Sequence, residues 1–137
     1  LAVAAKNTHP DATVVLISGD GAFLSGGLSV EAAFQEALPI VVVIDNNGGL
    51  DCISQQQERL FANGKHFATD FRDIPFHTLF EGMGGHGELV ERREDLGPAI
   101  RRAIASGKTA CVNVKAKGVI SPIVLATTSK RDKASIE

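Results

Sequence analysis

Thr13-Val14-Val15-Leu16-Ile17-Ser18-Gly19-Asp20-Gly21 and, further on, Ile40-Val41-Val42-Val43-Ile44-Asp45-Asn46-Asn47-Gly48-Gly49 share one pattern, a short apolar run ending in small and polar residues. Continuous β-branched runs without polar alternation suit strands buried on both faces of a parallel sheet. Between them, Leu28, Val30, Ala32, Ala33, Phe34 and Ala37 give helical spacing over residues 28–37, and Pro39 stops it. A strand, helix, strand crossover of this length makes the strands parallel and the connection right-handed.

Working outward, Leu1 opens in what reads as the end of a helix, with no initiator Met, and Pro10-Asp11 breaks toward the first strand. An N-terminally truncated fragment of a longer polypeptide is expected. Residues 54–73 turn polar, with Gln55-Gln56-Gln57 and Asn63-Gly64-Lys65, and are expected to be irregular or to form short helices without a strand. Phe76, Leu79, Phe80 and Met83 space a helix over 75–83, with Gly84-Gly85-His86-Gly87 as its cap and turn. A short strand is expected at 88–91. A helix follows over 94–105, with Leu96, Ile100, Ala103 and Ile104 inward, Arg101 and Arg102 solvated and Gly107 as cap. Residues 110–114 give a last strand. The expected fold is α/β, an open, mostly parallel sheet with helices on both faces, in a domain of residues 1–114. Residues 115–137, with Pro122, Thr127-Thr128 and Lys130-Arg131-Asp132-Lys133, are expected to be a C-terminal tail that wraps a neighbour or is partly mobile.

Composition narrows the function classes. The 137 residues are 44% hydrophobic and 22% charged, which suits one globular core. Fourteen basic and sixteen acidic residues, mixed along the chain, give a formal charge of -2, leaving no electrostatic footprint for nucleic acid or an anionic membrane. No apolar run approaches the roughly 20 residues of a membrane span, and the start lacks a signal peptide's pattern. Cys52 and Cys111 are too few for a disulfide framework, so reduced thiols in a soluble, cytoplasmic protein are expected.

Chemistry concentrates where the two strands end, because open parallel sheets bind ligands outside the carboxyl ends of their strands. Gly19 and Gly21 let the backbone approach a phosphate closely near a helix start, where anions are favoured. Asp20 between them would repel a diphosphate unless a hard cation such as Mg²⁺ or Ca²⁺ sat between the two. Asn47 offers a neutral amide oxygen and Gly49 a main-chain carbonyl, both suited to an octahedral oxygen site. Each turn alone is ordinary; the joint pattern, with Asp20 and Asn47 27 positions apart, carries the argument.

That arrangement resembles the signature of thiamine-diphosphate-dependent enzymes, in which Gly-Asp-Gly is followed at this spacing by Asn-Asn; here 24 residues, Ala22 to Asp45, separate Gly21 from Asn46. The likeness extends through Met83-Gly84-Gly85-His86-Gly87-Glu88 to the last helix and strand, and is nearest the acetolactate synthase-like subgroup. The resemblance implies thiamine diphosphate and Mg²⁺ as cofactors, with Asp20, Asn47 and the Gly49 carbonyl as metal ligands. It places Gly19, Gly21, Ala22 and Phe23 along the diphosphate, and Cys52 and Ile53 beside the thiazolium. It implies a lyase, decarboxylase or carboligase acting on small 2-oxo acids, in which the cofactor performs the chemistry and no catalytic base or nucleophile belongs to this chain. A homodimer or homotetramer is implied, completed by the pyrimidine-binding domain of the full-length chain. That domain carries the activating glutamate, so the fragment alone is expected to be inactive. Leu50-Asp51 departs from the aromatic residue and glycine common in the family at this place. The departure keeps open a 2-hydroxyacyl-CoA lyase or a benzaldehyde-lyase-like enzyme.

Plainer readings stand beside these. His9, His66, His77 and His86 lack metal spacing and read as solvated or satisfied histidines, with His86 alone worth testing. Cys111 reads as core, and Cys52 equally as a small apolar filler. Glu31 suits a helix start, and Gln55 to Glu58 a solvated face or subunit contact. A non-catalytic nucleotide-binding or regulatory α/β module is the rival class, although Gly-Asp-Gly-Ala-Phe-Leu lacks the dinucleotide spacing Gly-x-Gly-x-x-Gly.

Overall fold

The two quoted runs form adjacent parallel strands in the structure, a computed structural model that describes residues 1–61 and 64–131. In chain order the elements are α1 (Ala2–Thr8), β1 (Val14–Gly19), α2 (Asp20–Gly26), a 3-10 turn (Gly27–Val30), α3 (Glu31–Gln35), β2 (Ile40–Asn46) and α4 (Asp51–Leu60). Then come α5 (Phe76–Gly82), β3 (His86–Val90), a 3-10 turn (Arg93–Asp95), α6 (Leu96–Ala105), β4 (Ala110–Lys115) and α7 (Pro122–Arg131). They fall into two units: residues 1–47 with 74–116, and residues 48–73 with the described residues from 117 onward.

The first unit holds a four-stranded, all-parallel sheet in the order β1-β2-β4-β3. Alternation along β2 builds a core on each face, since successive strand residues point to opposite sides. Ile40, Val42 and Ile44 pack with Phe23, Val30, Ala33, Phe76 and Phe80, while Val41 and Val43 pack with Val90, Ala99, Ala103 and Val112. The phenylalanines meet mostly edge to face, Phe76 on Phe23 and Phe34 on Phe80 at 5.6 Å each. Helices therefore cover both faces, α2 and α5 one and α6 the other. Lys6 of α1 is buried, its Nζ donating to the carbonyls of Pro10 and Ala12 at 2.7 Å each, which holds the turn into β1.

Several expectations change. The first run is not buried on both faces: β1 is an outer strand, and Val15, Leu16 and Ile17 are 41%, 37% and 76% exposed. Apolar composition alone does not distinguish an edge strand from a central one. The helix expected at 28–37 begins at Asp20, because strand passes into helix with no intervening loop, and Gly26-Gly27, poor helix formers, divide it. Residues 54–73 hold no strand and most of one short helix, α4, as expected, with an isolated bridge between Asp70 and Gly49. The strand expected at 88–91 starts at His86: a Cβ at Gly87 would lie 2.6 Å from the His77 carbonyl, so glycine there lets α5 lie against the strand. Ile104, expected inward, is 41% exposed.

In the second unit, the start of α4 is stitched to residues 69–71. Leu50 N–H donates to Thr69 O and Phe71 N–H to Gly48 O, both at 2.8 Å, and Ser54 Oγ donates to Thr69 Oγ1 at 2.7 Å. Gln55, expected on a solvated face or in a subunit contact, makes three hydrogen bonds within the unit. Its Nε2 donates to Asp51 Oδ2 (3.0 Å) and Val119 O (2.8 Å), and its Oε1 accepts from Ser121 N–H (3.0 Å). Part of the expected tail is α7, with Pro122 at its first position and Val124 buried. Asp132 and Lys133 lie outside the described residues. Among the described residues no helix is long and apolar enough to cross a membrane.

Candidate functional site

Gly19 of β1 stands opposite Asp45 of β2, and neighbouring strands run about 4.8 Å apart, so Asp20 and Asn47 leave the same edge of the sheet. Asp20 heads α2 and is 3% exposed, with Oδ1 accepting the Gly21 N–H at 2.7 Å. Gly21 and Phe23 are buried and Ala22 is exposed. The Phe23 ring belongs to the core, against Phe76 and Phe80, so its side chain is not a cofactor contact. With Gly19 as N-cap, the Phe23 amide is the first of α2 whose acceptor lies within the helix, whereas the Ala22 amide has none there. The Ala22 amide thus stands in the first turn of α2, directly after β1 ends.

Behind Asn47 stands a buried polar relay that sequence reasoning missed. Asn46, 4% exposed, donates from Nδ2 to the Ile74 carbonyl (3.1 Å) and to Oδ1 of Asn113 (3.0 Å). Asn113, fully buried, reaches Nδ1 of His77 from its Nδ2 at 3.2 Å. The one available signal was an Asn inside the otherwise apolar run Ala110-Cys111-Val112-Asn113-Val114. Among the described residues every buried side-chain N or O has a partner.

Asn47 is half-buried and closes the first unit. Gly49, Cys52 and Ile53 belong to the second. Gly48 turns the chain at φ +82°, a left-handed conformation that favours glycine. A side chain at Gly49 would collide with the Thr69 carbonyl, so glycine is required there by packing as well. Cys52 and Ile53 lie in the first turn of α4, Cys52 exposed and Ile53 44% exposed.

The donor set suits a hard cation that also binds diphosphate. Asp20 offers one carboxylate and Asn47 an amide oxygen, which is chemistry for a hard cation such as Mg²⁺ or Ca²⁺ and not for a softer metal. Among the described residues no cluster of three or more His, Cys, Asp or Glu is placed to hold a metal. His86 is absorbed elsewhere: its Nε2 meets Glu88 Oε1 at 3.0 Å, and Arg102 grips the same carboxylate with Nε and Nη2 at 2.9 and 2.8 Å. The Arg102 guanidinium, with His86 adding to it, holds Glu88 below its usual pKa of 4.5.

The family described as "Thiamine pyrophosphate enzyme, C-terminal TPP binding domain" matches residues 1–114. The chain belongs to that family. A probable acetolactate synthase from Mycobacterium bovis is 38% identical over 114 residues, 82% of this chain and 20% of that protein. A 2-hydroxyacyl-CoA lyase from Arabidopsis thaliana is 31% identical over 116 residues, again 82% of this chain and 20% of the relative. A sulfoacetaldehyde acetyltransferase from Alcaligenes xylosoxydans xylosoxydans is 27% identical over 116 residues, 82% and 19% of the two chains. The chain thus spans about a fifth of the length of these relatives. The thiamine pyrophosphate family and the open α/β fold expected from the strand-turn pattern are both found.

Proposed function

We propose that this thiamine-pyrophosphate domain anchors the cofactor through Mg²⁺ in an acetolactate synthase-like lyase, decarboxylase or carboligase that acts on 2-oxo acids. The buried Asp20 carboxylate at the carboxyl end of β1, beside the end of β2, carries this reading. Asp20 and Asn47 hold the cation, and the family resemblance adds the Gly49 carbonyl. Gly19, Gly21, Ala22 and Phe23 line the diphosphate, while Cys52 and Ile53 flank the thiazolium. When bound, the cofactor supplies a nucleophilic carbon and an electron sink for the 2-oxo acid carbonyl. This chain's residues orient it and bring positive charge to the phosphates. A homodimer or homotetramer, in the cytoplasm, completes the site from the pyrimidine-binding domain of the full-length chain.

The test is calorimetric titration of the full-length protein with thiamine diphosphate in Mg²⁺. Asp20→Ala and Asn47→Ala are expected to weaken binding by about tenfold or more. Unchanged affinity in both sinks the metal assignment. A 2-hydroxyacyl-CoA lyase is the second reading, favoured by the Arabidopsis relative. Cleavage of a 2-hydroxyacyl-CoA without acetolactate formation from pyruvate would select it.

A further inference from the structure

The hydrogen bonds behind Asn47 run in one direction. The Ile74 carbonyl can only accept, so the Asn46 group 3.1 Å from it is the Nδ2 amide. The same amide faces Asn113 at 3.0 Å, so Asn113 turns its Oδ1 toward Asn46 and its own Nδ2 toward His77. An amide donor needs a lone pair opposite it, which puts the His77 ring proton on Nε2. Donation therefore passes from Asn46 to Asn113 to His77. On its main-chain side, Asn46 is held by its carbonyl, which accepts the Ala116 N–H at 3.0 Å.

The fold does not ask for this relay. Position 113 lies in a strand whose neighbours Cys111 and Val112 are fully buried and apolar, and a buried amide there is costly unless its hydrogen bonds are made. An aliphatic residue would suit β4 as well. What Asn113 adds is an acceptor for Asn46, the residue joined to Asn47.

We propose that Asn113, with His77 behind it, is a positioning residue for the cofactor metal: the relay fixes the Asn46 side chain, next to a main chain held by Ala116, and thereby sets the orientation of the Asn47 ligand. The inference rests on the reading of Asn47 as a cation ligand. Neighbours that orient a metal's ligands affect its affinity nearly as strongly as the ligands themselves.

The experiment uses the full-length protein. Thiamine diphosphate affinity is measured by calorimetry in Mg²⁺, and the electron paramagnetic resonance spectrum is recorded with Mn²⁺ in its place. Asn113→Leu is expected to weaken cofactor binding by about tenfold and to change the Mn²⁺ spectrum. Asn113→Asp, which keeps the acceptor for Asn46 and lets His77 donate from Nδ1 to the other oxygen, is expected to retain most of the affinity and the parent spectrum. His77→Leu, at the half-buried end of the relay, covers the case in which Asn113→Leu does not fold, with a smaller loss in the same direction. Parent affinity and spectrum in the Asn113→Leu and His77→Leu variants that fold, while Asn47→Ala loses binding, overturn the positioning role alone. Equal losses in Asn113→Asp and Asn113→Leu do the same. Unchanged binding in Asn47→Ala overturns the ligand reading and the positioning role with it.

Discussion

At the scale of single residues, environment divides groups that look alike in the sequence. Cys52 is exposed in the first turn of α4, whereas Cys111 is sealed in the core, where burial pushes its thiol up to about 12. Since the thiolate is the reactive form, native-state alkylation at pH 8, read by peptide mapping, is expected to label Cys52 and to spare Cys111 until the protein unfolds. Labelling of Cys111 at the rate of Cys52 would contradict the packing of β4. Asp20 and Phe23 divide in the same way. Both stand in the first turn of α2 and both are 3% exposed, yet one presents a carboxylate at the strand end and the other turns its ring into the aromatic cluster. The end of β1 was legible from Gly19-Asp20-Gly21, because small residues and an acid stop an apolar strand. The inward course of the Phe23 ring was not, since it depends on Phe76 and Phe80, more than fifty positions away.

At the scale of elements, the stretch after α4 is held by charge. His66 Nδ1 meets Glu58 Oε1 at 2.8 Å, and its Nε2 meets Asp70 Oδ2 at 2.9 Å. The hydrogen bond to Asp70, with Glu58 adding to it, raises His66 above its ordinary 6.5. A raised histidine contributes stability that is full below 6.5 and is lost as pH rises through the folded-state value. Hydrogen exchange of residues 64–71, corrected for intrinsic rate, is therefore expected to show protection falling as pH climbs past 6.5. Asp70→Asn should flatten that dependence. An unchanged profile in the variant would mean that the backbone bonds of Thr69 and Phe71 hold the stretch alone. Of these features the sequence showed polar residues and little else: ion pairs across eight and four positions depend on how the chain turns after Leu60.

At the scale of the whole molecule, the exposed side of β1 has a consequence for solution behaviour. Val15, Leu16 and Ile17 form an apolar outer strand paired only with β2 among the described residues, and such edges recruit other strands. The 137-residue chain is expected to self-associate with rising concentration in sedimentation velocity. Ile17→Lys, at the most exposed of the three, is expected to return it toward monomer with an unchanged far-UV spectrum. Association of equal strength in the variant would place the contact elsewhere.

The sequence by itself determined the parallel pairing of the two quoted strands, the helices expected over 75–83 and 94–105 and found over 76–82 and 96–105, and the departure of Asp20 and Asn47 from one sheet edge. Each follows from local chemistry: β-branched runs, helical spacing, and glycines and acids where strands stop. Only the tertiary structure decided that β1 is an outer strand, that α2 starts at Asp20 itself, and that Asn46 is braced by Asn113 and His77. Strand order and long-range hydrogen bonds join residues 67 and 36 positions apart, and no local window contains them.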